Sequence, residues 1–187
     1  MKQYQTLLIV FFISVFSLSG FSQEDKIQPP SEGKAVIYFL RTKALGALMN
    51  FRLFEKGQII AKYNGRNYVR YECDPGESIF WIKAENIDFI ETELEAGKIY
   101  FVETNAVLGA FSAGVKFNLV DYSDEKQMER INKLLEEKEA LTFTEEELKE
   151  EQADNKLVIQ RGMATVVKKR NKGKKIKRIT SDMDYKM

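Results

Sequence analysis

Between Lys168 and Arg178, eleven positions hold eight basic side chains: Lys168, Lys169, Arg170, Lys172, Lys174, Lys175, Lys177 and Arg178. Such a block repels itself and attracts anions, and in a chain with 29 basic and 28 acidic residues it is a local concentration of charge. The other residue types narrow the chemistry. With no histidine, the chain lacks the Ser-His-Asp and Cys-His nucleophilic sites and the usual zinc and copper ligand sets. It also has neither a Gly-rich phosphate loop ending in Lys-Ser or Lys-Thr nor a dinucleotide fingerprint after a strand. Cys73 is the single cysteine, so no internal disulfide can form. On the strand face of Val69 and Tyr71 it reads as a small buried hydrophobe, with an intermolecular bridge as the other use. No metal or cofactor follows from these residues, and the chain reads as a non-enzyme. Two acids suffice to cleave a glycosidic bond, so a carboxylate-dependent hydrolase of an envelope glycan is the alternative. Nothing marks a pair for it: Glu91, Glu93 and Glu95 alternate with Ile90, Thr92 and Leu94, as on the wet face of a strand.

Which anion the basic block meets depends on the compartment. Lys2 precedes the apolar run Thr6–Leu18, followed by Ser19, Gly20 and Ser22. The run has 13 residues, against about 20 needed to cross a bilayer, and reads as a signal peptide over residues 1–22, cut between Ser22 and Gln23. The expected product is exported, periplasmic or secreted, without a transmembrane span after cleavage. A bacterial lipid anchor, which needs a cysteine at the new terminus, is not expected. It keeps 165 residues, 28 basic and 28 acidic. An exported basic segment meets anionic lipid, the phosphates of lipopolysaccharide, acidic polysaccharide or an envelope protein rather than nucleic acid. Each well-placed Lys or Arg contributes about 1 kcal/mol at an anionic surface. The competing account is internal: Asp121–Arg161 holds 13 acids and 7 bases, so the block could be a solvated tail that neutralises acidic helices.

Gln23–Gly33 is polar, contains Pro29 and Pro30, and reads as a linker. Residues 34–122 carry eight short apolar or alternating segments separated by Lys56-Gly57, Asn64-Gly65, Asp74-Pro75-Gly76-Glu77 and Glu95-Ala96-Gly97-Lys98 turns. Without intervening helices, this predicts a mainly β chain, an antiparallel β-sandwich of about eight short strands with a C-terminal α-helical appendage. Asn105–Phe117 reads as a flexible crossing between two strands. The segment Ile79–Ile82 is apolar on both faces, which predicts a central strand covered on both sides.

The cover is expected from residues 123–160. Ser123 looks like a helix cap ahead of a stripe made by Met128, Ile131, Leu134 and Leu135, and Thr144 with Glu147 forms a capping box. The pattern from Leu157 to Val167 suits a strand and a loose helix end equally well. Residues 161–187 read as a flexible basic tail.

Three stretches, Gly33–Arg41, Phe51–Glu77 and Glu93–Glu103, resemble the bacterial envelope family called domain of unknown function 2846. The resemblance spans roughly residues 30–120. It implies an exported β-sandwich module and supplies no catalytic or binding residues to carry over. The function expected is a non-catalytic binding or accessory module of the bacterial cell envelope, touching anionic surfaces through its basic tail. An adaptor that docks a partner protein through the helical arm is a further alternative.

Overall fold

The computed structural model describes residues 26–108 and 113–186. All eight segments form strands: β1 Ala35–Arg41, β2 Phe51–Glu55, β3 Gln58–Tyr63, β4 Asn67–Cys73, β5 Gly76–Lys83, β6 Ile87–Leu94, β7 Ile99–Leu108 and β8 Ala113–Leu119. Three helices follow, α1 Glu125–Glu137, α2 Glu145–Asp154 and α3 Lys156–Asn171, then a ninth strand, β9 Lys177–Ile179. Strands dominate, in a four-stranded sheet ordered β4-β1-β7-β8 and a five-stranded sheet ordered β3-β2-β5-β6-β9.

Both sheets are mixed, which corrects the antiparallel expectation. β1 runs parallel to β7, with Leu40 opposite Glu103, and β6 runs parallel to β9, with Ile90 opposite Lys177. Alternation along a strand tells which side chains share a face, but it is blind to the neighbour and its direction. β1 and β7 lie far apart in sequence, and β9 comes from the segment expected to be a loose tail.

The inner faces of the two sheets share one core, with Ile37, Phe39, Val102 and Phe117 from one and Leu53, Phe80, Ile82 and Ile90 from the other. At their edges the sheets are stitched by side chains. The Asn86 amide accepts from Val115 N (2.6 Å) and donates to Val115 O (3.0 Å), and Asp88 Oδ2 accepts from Phe117 N (2.9 Å). These bonds satisfy β8 backbone groups that an edge strand would leave unpaired.

Each outer face has its own helix. On α1, Ile131, Leu134 and Leu135 cover Val36, Tyr38, Leu40 and Phe101 of the four-stranded sheet. Its cap is Asp124, whose carboxylate accepts from Gln127 N, while the expected cap Ser123 donates to Asp121. Thr144 and Glu147 make the anticipated capping box at α2. That helix guards the β3 edge: Gln152 accepts from Ile59 N (2.8 Å) and donates to Gly57 O (3.0 Å), replacing a strand partner. On the five-stranded sheet, Ile159 and Val166 of α3 pack with Ile79, Trp81 and Phe89. β5 is therefore central and covered on both sides, by the other sheet and by α3, whose sequence was ambiguous between helix and strand, and not by the two capped helices expected to cover it, which lie on the four-stranded sheet and along the β3 edge.

The boundary expected near residue 160 falls inside α3, and the chain beyond it is not a loose tail. After β9 it crosses to the four-stranded sheet, where Tyr185 N donates to Ile99 O (2.7 Å) and its ring stacks on Phe101 at 4.7 Å. Packing selects this path: β9 gives the free edge of β6 a partner, and Tyr185 covers apolar surface that α1 leaves open. The linker is also docked, with Gln28 N donating to Tyr38 Oη (3.0 Å). The expected signal peptide and its cleavage pair, Ser22 and Gln23, lie outside the described residues.

Candidate functional site

The structure divides the eight basic residues into two sets. Lys169 lies over the Phe89 ring, 4.9 Å from its centroid. Arg170 donates from Nε and Nη2 to Glu91 Oε1 (2.9 and 2.7 Å), Lys177 reaches Asp88 Oδ2 (3.1 Å), and Arg178 bridges Glu77 (2.6 Å) and Glu93 (3.1 Å). These four fasten the end of α3 and β9 to the outer face of β5 and β6. The two carboxylates hold the Arg178 guanidinium above its usual range, chiefly by accepting its hydrogen bonds.

Lys168, Lys172, Lys174 and Lys175 have no ion-pair partner among the described residues, and all four are exposed. They surround the last turn of α3 and the turn at Gly173, whose φ of 62° suits a residue without Cβ. Lys168 sits in that last turn, where the helix dipole favours cations.

The anchoring acids lie on the sheet, not on the acidic helices weighed against the block. Of the helical acids, Glu151 pairs with Lys62 and Glu137 with Arg66 and Lys133. Glu91 and Glu93, expected to face water, are the partners of Arg170 and Arg178, and Glu95 pairs with Lys98 (2.6 Å). The period-2 alternation identified their face; a helix-strand unit folding back onto that face gave them cations.

A second polar cluster went unread in the sequence. A cleft of 480 Å³ at the opposite end of the sheets is lined by Lys34, Glu55, Lys56, Tyr71, Cys73 and Ser78, among others. Glu55 accepts hydrogen bonds from Tyr71 Oη (2.8 Å) and Ser78 Oγ (2.5 Å). The other acids of this cleft meet cations: Glu72 with Arg70, Asp74 with Lys34, and Glu77 with Arg178. Burial, helped by the Glu55 charge, pushes the Cys73 thiol up to about 12 and the Tyr71 hydroxyl upward as well. Both groups hold their protons, and Cys73 packs within the shared core. Among the described residues no cluster of three or more Cys, Asp or Glu is arranged to hold a metal ion.

No family model, curated protein or solved structure matches the chain. Among the described residues no helix is long and apolar enough to cross a membrane.

Proposed function

We propose that this chain is an exported, non-catalytic accessory module of the bacterial envelope, of the kind that a likeness to domain of unknown function 2846 implies. In this reading it rests against anionic envelope surfaces through Lys168, Lys172, Lys174 and Lys175. The observation that supports it most is the division of the basic block. Its anchored half gives the exposed half a fixed position, so little conformational freedom is lost when the four lysines meet phosphate or carboxylate groups. A solvated tail would carry no such division.

The test is sedimentation of the chain beginning at Gln23, which keeps every described element, with phosphatidylglycerol-containing vesicles. Wild type should sediment at low salt and be released as salt rises from about 50 to 200 mM, where screening shortens to about 8 Å. Changing Lys168, Lys172, Lys174 and Lys175 to Glu should abolish sedimentation with an unchanged thermal transition. Sedimentation of that variant equal to wild type would remove the reading.

A further inference from the structure

The strand directions gather several connections at one end of the sheets. β1 and β7 are parallel, with Leu40 opposite Glu103, so the loop after Arg41 and the tip of β7 leave together. A Cβ built on Gly46 would lie 3.0 Å from Ala106 Cβ, which puts the 42–50 loop against that tip. Asn86 bonds both backbone groups of Val115, so the β5–β6 turn joins the same end. β9 runs parallel to β6 from Lys177 opposite Ile90, so Lys174 and Lys175, which precede it, lie toward the Ile87 end of β6. Asp88 makes the link direct, since its Oδ2 accepts from both Phe117 N of β8 and Lys177 Nζ of β9.

Two kinds of exposed side chain lie at this end. Leu48 is 94% exposed, Leu108 62% and Leu45 48%, with Val107 beside them. Lys43 and Lys116 are also exposed, and like Lys172, Lys174 and Lys175 they have no ion-pair partner among the described residues. The nearby acids are engaged: Asp88 by Lys177, Glu137 by Arg66, and Glu85 by Ala113 N. The leucine loop is held from inside. The guanidinium of buried Arg41 donates to the carbonyls of Met49 (2.9 Å), Gly46 (2.5 Å) and Leu45 (3.4 Å), with its carbon 3.8 Å from the Phe51 ring centroid.

We infer that this end is a membrane-contacting surface that sets Leu45, Leu48, Val107 and Leu108 into the interface of an anionic phospholipid bilayer while the lysines meet headgroup phosphates. Charge complementarity chooses the occupant: apolar projections and unpaired lysines carried at the same end of the sheets match the apolar-beneath-anionic layering of a lipid surface. A polysaccharide or a free polyanion would use the lysines and leave the leucines in water. The inference rests on the surface contact proposed above and adds the bilayer as its target and the leucines as its means.

The experiment compares the chain beginning at Gln23 with Leu48→Asp/Leu108→Asp, and with the fourfold lysine reversal, on phosphatidylglycerol vesicles and on immobilised acidic polysaccharide. At about 50 mM salt, where wild type is bound, the double leucine variant should partition onto vesicles about tenfold less per leucine lost, in proportion to the apolar area no longer buried, and keep its retention on polysaccharide. Unchanged vesicle binding by the leucine variant, with binding lost in the lysine variant, would overturn the bilayer inference and leave the surface reading standing. Wild type that binds neither support would overturn both. Wild type that binds polysaccharide alone, or dimerises through these leucines in sedimentation velocity without lipid, would overturn the inference. Leu48→Asn/Leu108→Asn serves as a second variant without added charge, and loss of partition there excludes simple repulsion.

Discussion

Gly162 of α3 lies directly on the Trp81 ring: a Cβ at that position would come within 2.6 Å of Cη2 and 2.8 Å of Cζ3. The indole stacks on Phe54 with centroids 3.8 Å apart, and its Nε1 donates to Lys56 O (2.7 Å), so the ring has little room to yield. Gly162→Ala should therefore destabilise the protein by about 1–3 kcal/mol through overpacking, despite the gain of about 1 kcal/mol in helix propensity. Urea unfolding followed by tryptophan fluorescence measures it, and a stabilised variant would show that α3 does not press on this ring.

Trp81 is fully buried. Trp81→Ala should cost about 3–5 kcal/mol. Truncation after Asn155, which removes α3 and β9, should red-shift the emission of the single tryptophan and expose Ile79 and Phe89. An unshifted spectrum would place the cover of β5 elsewhere.

Arg178 connects β9 to Glu77 and Glu93 at its pairing with β6. Arg178→Glu puts three negative charges together at that edge. Hydrogen exchange at Ile90–Thr92 should speed up while the β1–β4 pairing keeps its protection. Equal protection in wild type and variant would mean that β9 is held by Ile179 burial alone.

Burial raises the Cys73 thiol from 9.0 to about 12, and the Tyr122 hydroxyl also to about 12. Raised values for groups that become anions favour the fold while both are protonated. The stabilisation is present below pH 9, where the unfolded thiol also keeps its proton, and is lost as pH climbs through 9 to 12. Thermal transitions should fall across that window. Cys73→Ser should flatten the fall, and iodoacetamide should label native Cys73 only slowly below pH 9.

Arg41 is fully buried and bonded only to carbonyls. Arg41→Lys cannot span the three oxygens with a planar fork, so the 42–50 loop should gain mobility in amide relaxation measurements while the strands keep theirs.

Residue periodicity and turn chemistry were sufficient for much of this fold. The eight strands, the α2 capping box, the apolar stripe of α1 and the burial of Ile79 and Trp81 all follow from local pattern, because each depends on neighbours one to four positions away. For the candidate site the sequence located the basic block and its eight residues. Which of them are anchored, and which remain exposed, depends on Glu77, Asp88, Phe89, Glu91 and Glu93, about 80 to 100 residues earlier in the chain. The parallel β1–β7 and β6–β9 pairings, the α3 cover over Trp81 and the placing of Leu48 and the lysine turn at the same end of the sheets are likewise products of tertiary structure. Local pattern sets what a segment exposes on each face. Only closure of the sheets around a shared core sets which distant segment meets that face, and with it which charges are neutralised.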